Sequence, residues 1–247
     1  MSLNPAQRAA VEHSDTPLLV LAGAGSGKTR VITQKIQHLI VRRGLAADRI
    51  AAITFTNKAA REMRERAHAL LRGVDSEGLL VCTFHSLGLK FLQIEHEAAG
   101  LRRGFSIFDT DDAGAIFKDL MPRGANAQAV AAVRGLVSRA KADGLSPEAA
   151  AAAAQSARER EAADLYGQYQ KRLAAFNAVD FDDLIRLPVA LLEEHETLRG
   201  AWRERLRYLL VDEYQDTNTG QYALLRLLAG SRGAFTCVGD DDQSIYG

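Results

Sequence analysis

This 247-residue sequence is poor in cysteine, carries no net charge and has no apolar run of membrane-spanning length. Each absence narrows the reading. The two cysteines, Cys82 and Cys237, lie in apolar, strand-like surroundings. That argues against a disulfide framework or a cysteine metal site and for buried thiols in a reducing compartment. Without a long apolar segment there is no helical membrane span, and the polar opening Met1-Ser2-Leu3-Asn4-Pro5 is no secretory signal. What remains, 47% hydrophobic and 25% charged, is the composition of a soluble globular chain. Its length suits one large domain or two smaller ones.

A balance of 31 basic against 31 acidic residues speaks at first against a polyanionic partner. Their distribution speaks for one. Residues 1–75 hold 12 Lys/Arg against 6 Asp/Glu, whereas residues 209–247 hold 2 against 6. A polyanion suits the first region and a divalent cation the second; the competing reading is a pair of solvated faces.

The most informative stretch is Ala22-Gly23-Ala24-Gly25-Ser26-Gly27-Lys28-Thr29, set between the apolar run Leu18 to Leu21 and an apolar-periodic segment. Glycines let the backbone turn tightly and present its N–H groups inward as an anion nest, and a following helix N-terminus adds partial positive charge. Lys28 is then placed to reach the β- and γ-phosphates of a nucleotide, and the Thr29 hydroxyl to coordinate Mg²⁺. Ala22 departs from the strict pattern, which has glycine first. The bland alternative is a glycine-rich turn beside an unrelated lysine.

Around this loop, Val31, Ile32, Ile36, Leu39 and Ile40 recur at helical spacing up to Gly44. Ile50 to Phe55 reads as a strand, Ala60 to Leu71 as a helix with Arg61, Arg64 and Arg66 on its other faces, and Leu79 to Phe84 as a third strand. Alternating strands and helices imply a parallel sheet covered on both faces. From about Leu87 to Glu196 the pattern is helical, with breaks at Gly100 to Gly104, Gly124 and Gly144-Leu145-Ser146-Pro147. An alanine-rich tract from Pro147 to Ala163 within it reads as folded helix. Strands return at Tyr208 to Val211 and Ala234 to Gly239. The expected architecture is an α/β sheet domain at 1–86 and 197–247, interrupted by an all-helical insertion at 87–196.

Two further segments suit the phosphate loop. Leu209-Leu210-Val211 ends in Asp212-Glu213, where Asp212 can hold Mg²⁺ opposite Thr29 and Glu213 can orient and deprotonate an attacking water. The strand before Gly239 leads into Asp240-Asp241-Asp242-Gln243, where Gln243 can sense a γ-phosphate with its amide. A solvated acidic turn is the alternative there.

Taken together these residues closely resemble the superfamily 1 DNA helicases of the UvrD/Rep type, over essentially the whole chain. Leu3-Asn4-Pro5-Ala6-Gln7 is similar to the family's adenine-reading segment, and Ala22 to Thr29 to its phosphate loop, which often begins with alanine. Ile53 to Ala60, Thr83 to Ser86, Val211 to Asp216 and Gly239 to Tyr246 resemble four further motifs in order. The resemblance implies a RecA-like P-loop fold and nucleotide contacts from Gln7, Ala22, Gly23, Ala24, Gly25, Ser26, Gly27, Lys28, Thr29 and Arg30. It implies metal ligation by Thr29 and Asp212, and hydrolysis by Lys28, Glu213 and Gln243 with ATP and Mg²⁺. It further implies single-stranded DNA stacked on Phe55 and Tyr246, with backbone contacts from Thr56, Asn57, Lys58, Thr83 and His85. Read without the resemblance, Phe55 is a core strand residue and His85 an ordinary loop histidine. Gln215 and Asp216 would couple the nucleotide pocket to the DNA surface. For Phe181 and its flanking Asp180, Asp182 and Asp183, structural and functional roles both stand. Arg102, Arg103, Arg139 and Lys141 are candidate DNA contacts or a solvated surface.

By the same resemblance the expected activity is 3′-to-5′ unwinding of single/double-strand junctions in the bacterial cytoplasm, with accessory replication or repair proteins. The family continues past its last motif here with a second motor domain whose arginines are worth about 10³–10⁵ in rate in comparable systems. The chain is therefore expected to be an N-terminal part that folds, binds Mg-ATP weakly and hydrolyses it poorly. A non-catalytic nucleotide- or strand-binding module and the motor of a helicase–nuclease are the alternatives. Nothing resembles a guanine-specificity loop, which disfavours a GTPase.

Overall fold

The computed structural model describes residues 3–23, 25–232 and 234–240. They fall into two compact units, the first made of Met1–Leu87, His195–Thr217 and Leu225–Gly247, the second of Gly88–Glu194 and Asn218–Leu224. In chain order the first stretch gives α1 (Pro5–Glu12), β1 (Leu18–Leu21), α2 (Lys28–Val41), β2 (Ile50–Thr54), α3 (Asn57–Leu70), β3 (Leu80–Thr83) and α4 (Phe84–Ile94). Then follow β4 (Ser106–Phe108), α5 (Thr110–Leu120), α6 (Ala127–Ala142), α7 (Pro147–Ala153), α8 (Ala157–Ala175), β5 (Ala178–Asp180) and α9 (Asp183–Glu194). The chain closes with α10 (Glu196–Arg205), β6 (Tyr208–Val211), α11 (Thr219–Ala229) and β7 (Phe235–Gly239).

The first unit is built on a five-stranded sheet in the order β1-β7-β6-β2-β3, parallel throughout. Every residue of β2 and β6 is buried, as expected of interior strands covered on both faces. The apolar residues read at helical spacing point where the pattern requires. Ile32, Ile36 and Leu39 of α2 and Met63 and Ala67 of α3 meet Ile50, Ala52, Val81, Leu210 and Val238 of the sheet in one core. The mixed α/β fold, a parallel sheet flanked by helices, is thus the one expected. Cys82 and Cys237 are both buried, and neither forms a disulfide.

The second unit is helical except for one feature. The insertion expected to be all-helical contains a parallel pair, with Ile107 beside Val179 and Phe108 beside Asp180. Strands of three residues carry no readable periodicity, so their pairing is decided by tertiary contacts. Asn177, in the left-handed region at φ 51°, makes the turn into β5 and binds the backbone of Arg102 through both ends of its amide. The core gathers Phe117, Val130, Val133, Val137, Leu165, Tyr166, Tyr169 and Leu173, with the Phe117 and Tyr169 rings stacked 4.4 Å apart. The alanine tract is two helices, because Ser156 and Glu159 form a capping box that starts α8 anew. Segment 218–224, expected with the sheet, groups with this unit. There Gly220 lies so near the Ala142 carbonyl that a Cβ would stand 2.9 Å from its oxygen.

Lys141, expected at the surface or against DNA, is instead wholly buried and held by Asp180 at 2.6 Å and Asp183 at 3.0 Å. Arg186 binds Asp183 at 3.0 Å and the Tyr169 hydroxyl donates to Asp180 at 2.9 Å. Charge buried in this way is stable only when paired and hydrogen-bonded, and here it is both. Asp180 and Asp183 therefore have a structural job, while Phe181 between them is half exposed.

Candidate functional site

In a parallel sheet the carboxyl ends of neighbouring strands open at one edge, where loops can converge. β1, β7 and β6 are neighbours, and each ends at a segment singled out above. The phosphate loop leaves β1, Asp240 follows β7, and Asp212-Glu213 follow β6. The loop is tied in place by the Ala22 N–H, which donates to the Gly239 carbonyl at 3.0 Å. Gly25 and Gly27 take positive φ of 71° and 89°, conformations that favour glycine. Gly27 caps α2, so the first N–H groups of that helix face the loop. The Gln7 amide donates to the Ser26 carbonyl at 2.8 Å, while its oxygen accepts from the Asn4 N–H at 3.0 Å in a capping box. The residue expected to read a base thus lies against the phosphate loop.

Lys28, first in α2, sends its ammonium between two carboxylates, 3.2 Å from Glu213 and 3.5 Å from Asp240. Gln215 joins the same cluster, donating to Glu213 at 2.8 Å and accepting from the Asp240 N–H at 3.0 Å. Glycine at 239 leaves room for it, since a Cβ there would stand 2.7 Å from the Gln215 amide oxygen. Glu213 itself sits in the left-handed region at φ 52°, a conformation that costs a non-glycine residue roughly 1–3 kcal/mol and gathers at functional sites. Asp212 is 4% exposed. Burial, with the Glu213 charge beside it, pushes its carboxyl up to about 6, against the Glu213 N–H and the attraction of Lys28.

The sequence-based expectations fall into three groups. Gln7, Gly25, Ser26, Gly27, Lys28, Asp212 and Glu213 lie at or beside the loop and cluster just described. Ala22 is partly buried and Gly23 exposed in the same loop, and Thr29 and Arg30 occupy the first turn of α2. Ala24, Gln243 and Tyr246 lie outside the described residues. Asp240 and Gln215 are partners of Lys28 and Glu213 that the list of catalytic residues omitted. The signal available for Asp240 was its place directly after a strand whose carboxyl end opens at the loop.

The described residues expected to meet a DNA strand lie at or just after the ends of β2 and β3, adjacent strands of the same sheet. The Phe55 ring is half-buried and lies 5.4 Å from Phe84. Thr56 caps α3, accepting from the Ala59 N–H at 3.1 Å, and Asn57 and Lys58 are exposed in its first turn. His85 is half-buried, and desolvation lowers its pKa below the usual imidazole range. Thr83 is 6% exposed and its hydroxyl is engaged by Ser86 at 2.9 Å, which gives it a local capping task.

A sequence profile described as the UvrD/REP helicase N-terminal domain matches residues 3–247. The chain is 52% identical over its whole length to the ATP-dependent DNA helicase Rep of Escherichia coli K12, of which it covers 37%. It is 42% identical to the ATP-dependent DNA helicase UvrD1 of Mycobacterium bovis and 39% identical to the ATP-dependent DNA helicase PcrA of Bacillus subtilis. Those matches cover 99% of this chain and 33% of each relative. The chain thus spans about a third of the length of these relatives.

Proposed function

The chain belongs to the UvrD/REP helicase N-terminal domain family, and from that premise we propose that it binds ATP and grips a single DNA strand for an ATP-dependent DNA helicase. The observation that carries this reading is Lys28 poised between Glu213 and Asp240 at the head of a glycine-turned helix N-terminus. A lysine held by two carboxylates exchanges one of them for a γ-phosphate at little electrostatic cost, because the incoming group is also an anion. The N–H groups at the start of α2 face the same ligand and complement its charge. Glu213, with its second partner Gln215, is then free to orient the attacking water and accept its proton.

The donor set also fits a magnesium ion. Among the described residues no three His, Cys, Asp or Glu side chains converge on one point. An ion here would draw most of its ligands from phosphate and water, as magnesium commonly does. Thr29 and Asp212 would hold it, and the raised pKa of Asp212 marks a buried carboxylate for which a cation is the natural complement. When bound, the ion neutralises charge on the β- and γ-phosphate oxygens.

The strand surface in this reading is Phe55, Thr56, Asn57, Lys58 and His85, without Thr83. The family likeness extends the proposal to a 3′-to-5′ direction, junction substrates, a partner motor domain and a bacterial cytoplasmic setting. No described helix is long and apolar enough to cross a membrane. Fluorescence anisotropy with labelled oligo-dT tests the strand surface. Phe55→Ala is expected to weaken binding about 5- to 150-fold, the equivalent of one stacked base. Unchanged affinity in a variant with wild-type circular dichroism would remove Phe55 from the interface.

A further inference from the structure

Lys35 is 0% exposed, an unusual place for a lysine, and the chemistry above does not use it. Its ammonium donates to the Ala10 carbonyl at 2.7 Å and to the His13 carbonyl. The Tyr208 ring lies 5.7 Å away. These carbonyls belong to the C-terminal end of α1, where a helix leaves its last C=O groups without internal partners and carries partial negative charge. Burial pushes the ammonium down to about 8.

α1 packs on α2 but buries little of itself there. It is 8 residues long, well short of the length at which an isolated helix persists, and Val11 is its one buried residue. At its other end stands Gln7, bonded to the Ser26 carbonyl and closed onto Asn4. The fit is close, since a Cβ on Gly27 would stand 3.0 Å from the Gln7 amide nitrogen. Displacing α1 would therefore disturb the bond between Gln7 and the phosphate loop.

We infer that Lys35 is a positioning residue for base recognition: by binding the last carbonyls of α1 it fixes Gln7 beside the phosphate loop and so sets the preference for a purine nucleotide over bare polyphosphate. The inference rests on the nucleotide-site reading proposed above and adds to it a residue that touches no ligand. A merely structural lysine would, when removed, weaken every ligand alike.

The test uses this chain and two probes, ATP and inorganic tripolyphosphate, titrated calorimetrically with Mg²⁺ present. Lys35→Met and Lys35→Gln are compared with Gln7→Ala and with the double variants. Each Lys35 variant is expected to lose about 10-fold in ATP affinity, near the loss from Gln7→Ala, and to keep tripolyphosphate affinity within about twofold. Adding Gln7→Ala to either should cost nothing further, because both changes break the same contact. The inference is overturned by equal losses for both probes, by unchanged ATP affinity, by full additivity with Gln7→Ala, or by both variants failing to fold. A wild-type chain that binds neither probe would instead remove the underlying nucleotide reading, and no variant is needed to see that result.

Discussion

Gly88→Ala should destabilise the second unit by about 2 kcal/mol, although alanine in a helix is normally the better residue. Gly88 lies inside α4, where replacing glycine by alanine ordinarily gains roughly 1 kcal/mol of helix propensity. Here a Cβ would stand 1.7 Å from the Leu184 carbonyl oxygen and 2.8 Å from its carbon. Those are backbone atoms of α9, so no rotamer change can make room, and the two helices must separate. Overpacking that forces side chains off rotamer and shifts the backbone costs typically about 1–3 kcal/mol, occasionally more. The steric cost therefore outweighs the propensity gain. Gly135→Ala in α6 is the matched control, since nothing lies within 4 Å of its Cβ position, and it should stabilise the unit by about 0.5–1 kcal/mol. Urea denaturation followed by circular dichroism reads both. Equal effects of the same sign would show that α4 and α9 do not approach as closely as described.

Asp212→Asn should separate stability from function. Because the folded carboxyl titrates near 6 against an ordinary 3.8, the native state binds a proton more tightly than the unfolded chain. Stability from this group is therefore full below about pH 4 and is lost as pH rises through about 6. At neutral pH the buried charge costs up to about 3 kcal/mol, a shift of roughly two units at 1.36 kcal/mol each. Asparagine removes that cost and should flatten the decline between pH 4 and 6, raising the thermal midpoint of the first unit by up to about 10 °C. The same change removes the proposed metal ligand, so the Mg²⁺ dependence of ATP affinity should largely vanish. In the wild-type chain that dependence should weaken as pH falls below 6 and Asp212 takes up its proton. A variant no more stable than wild type, or one that keeps the full Mg²⁺ effect, would contradict the assignment.

What the sequence made legible was local or periodic. The phosphate loop could be read because its chemistry is contiguous, from Ala22 to Thr29, and the sheet because β2, from Ile50 to Ile53, and β6 are apolar runs. Long-range choices were not legible. Lys141 and Lys35 look like surface lysines in one dimension; only the fold places carboxylates around the first and helix-end carbonyls around the second. The β4–β5 pair was too short to show a period. Gly88 looks like one more residue of a helical stretch in one dimension, because its close neighbour is distant in sequence. The capping box at Ser156 and Glu159, by contrast, is written in the chain, though the alanine content around it hides the break. Asp240 and Gln215 sit between these cases: their types suggested chemistry, but only their convergence on Lys28 and Glu213 gave them a task.

Calorimetric titration of this chain with Mg-ATP, wild type beside Lys28→Ala, tests whether Lys28 anchors a nucleotide phosphate. Saturable binding is expected for the wild type and about a 100-fold loss for the variant, consistent with a charge-assisted contact worth roughly 3 kcal/mol. Equal affinities in the two proteins, both folded, would mean that the cluster of Lys28, Glu213 and Asp240 is an ordinary ion-pair network and that the phosphate site lies elsewhere.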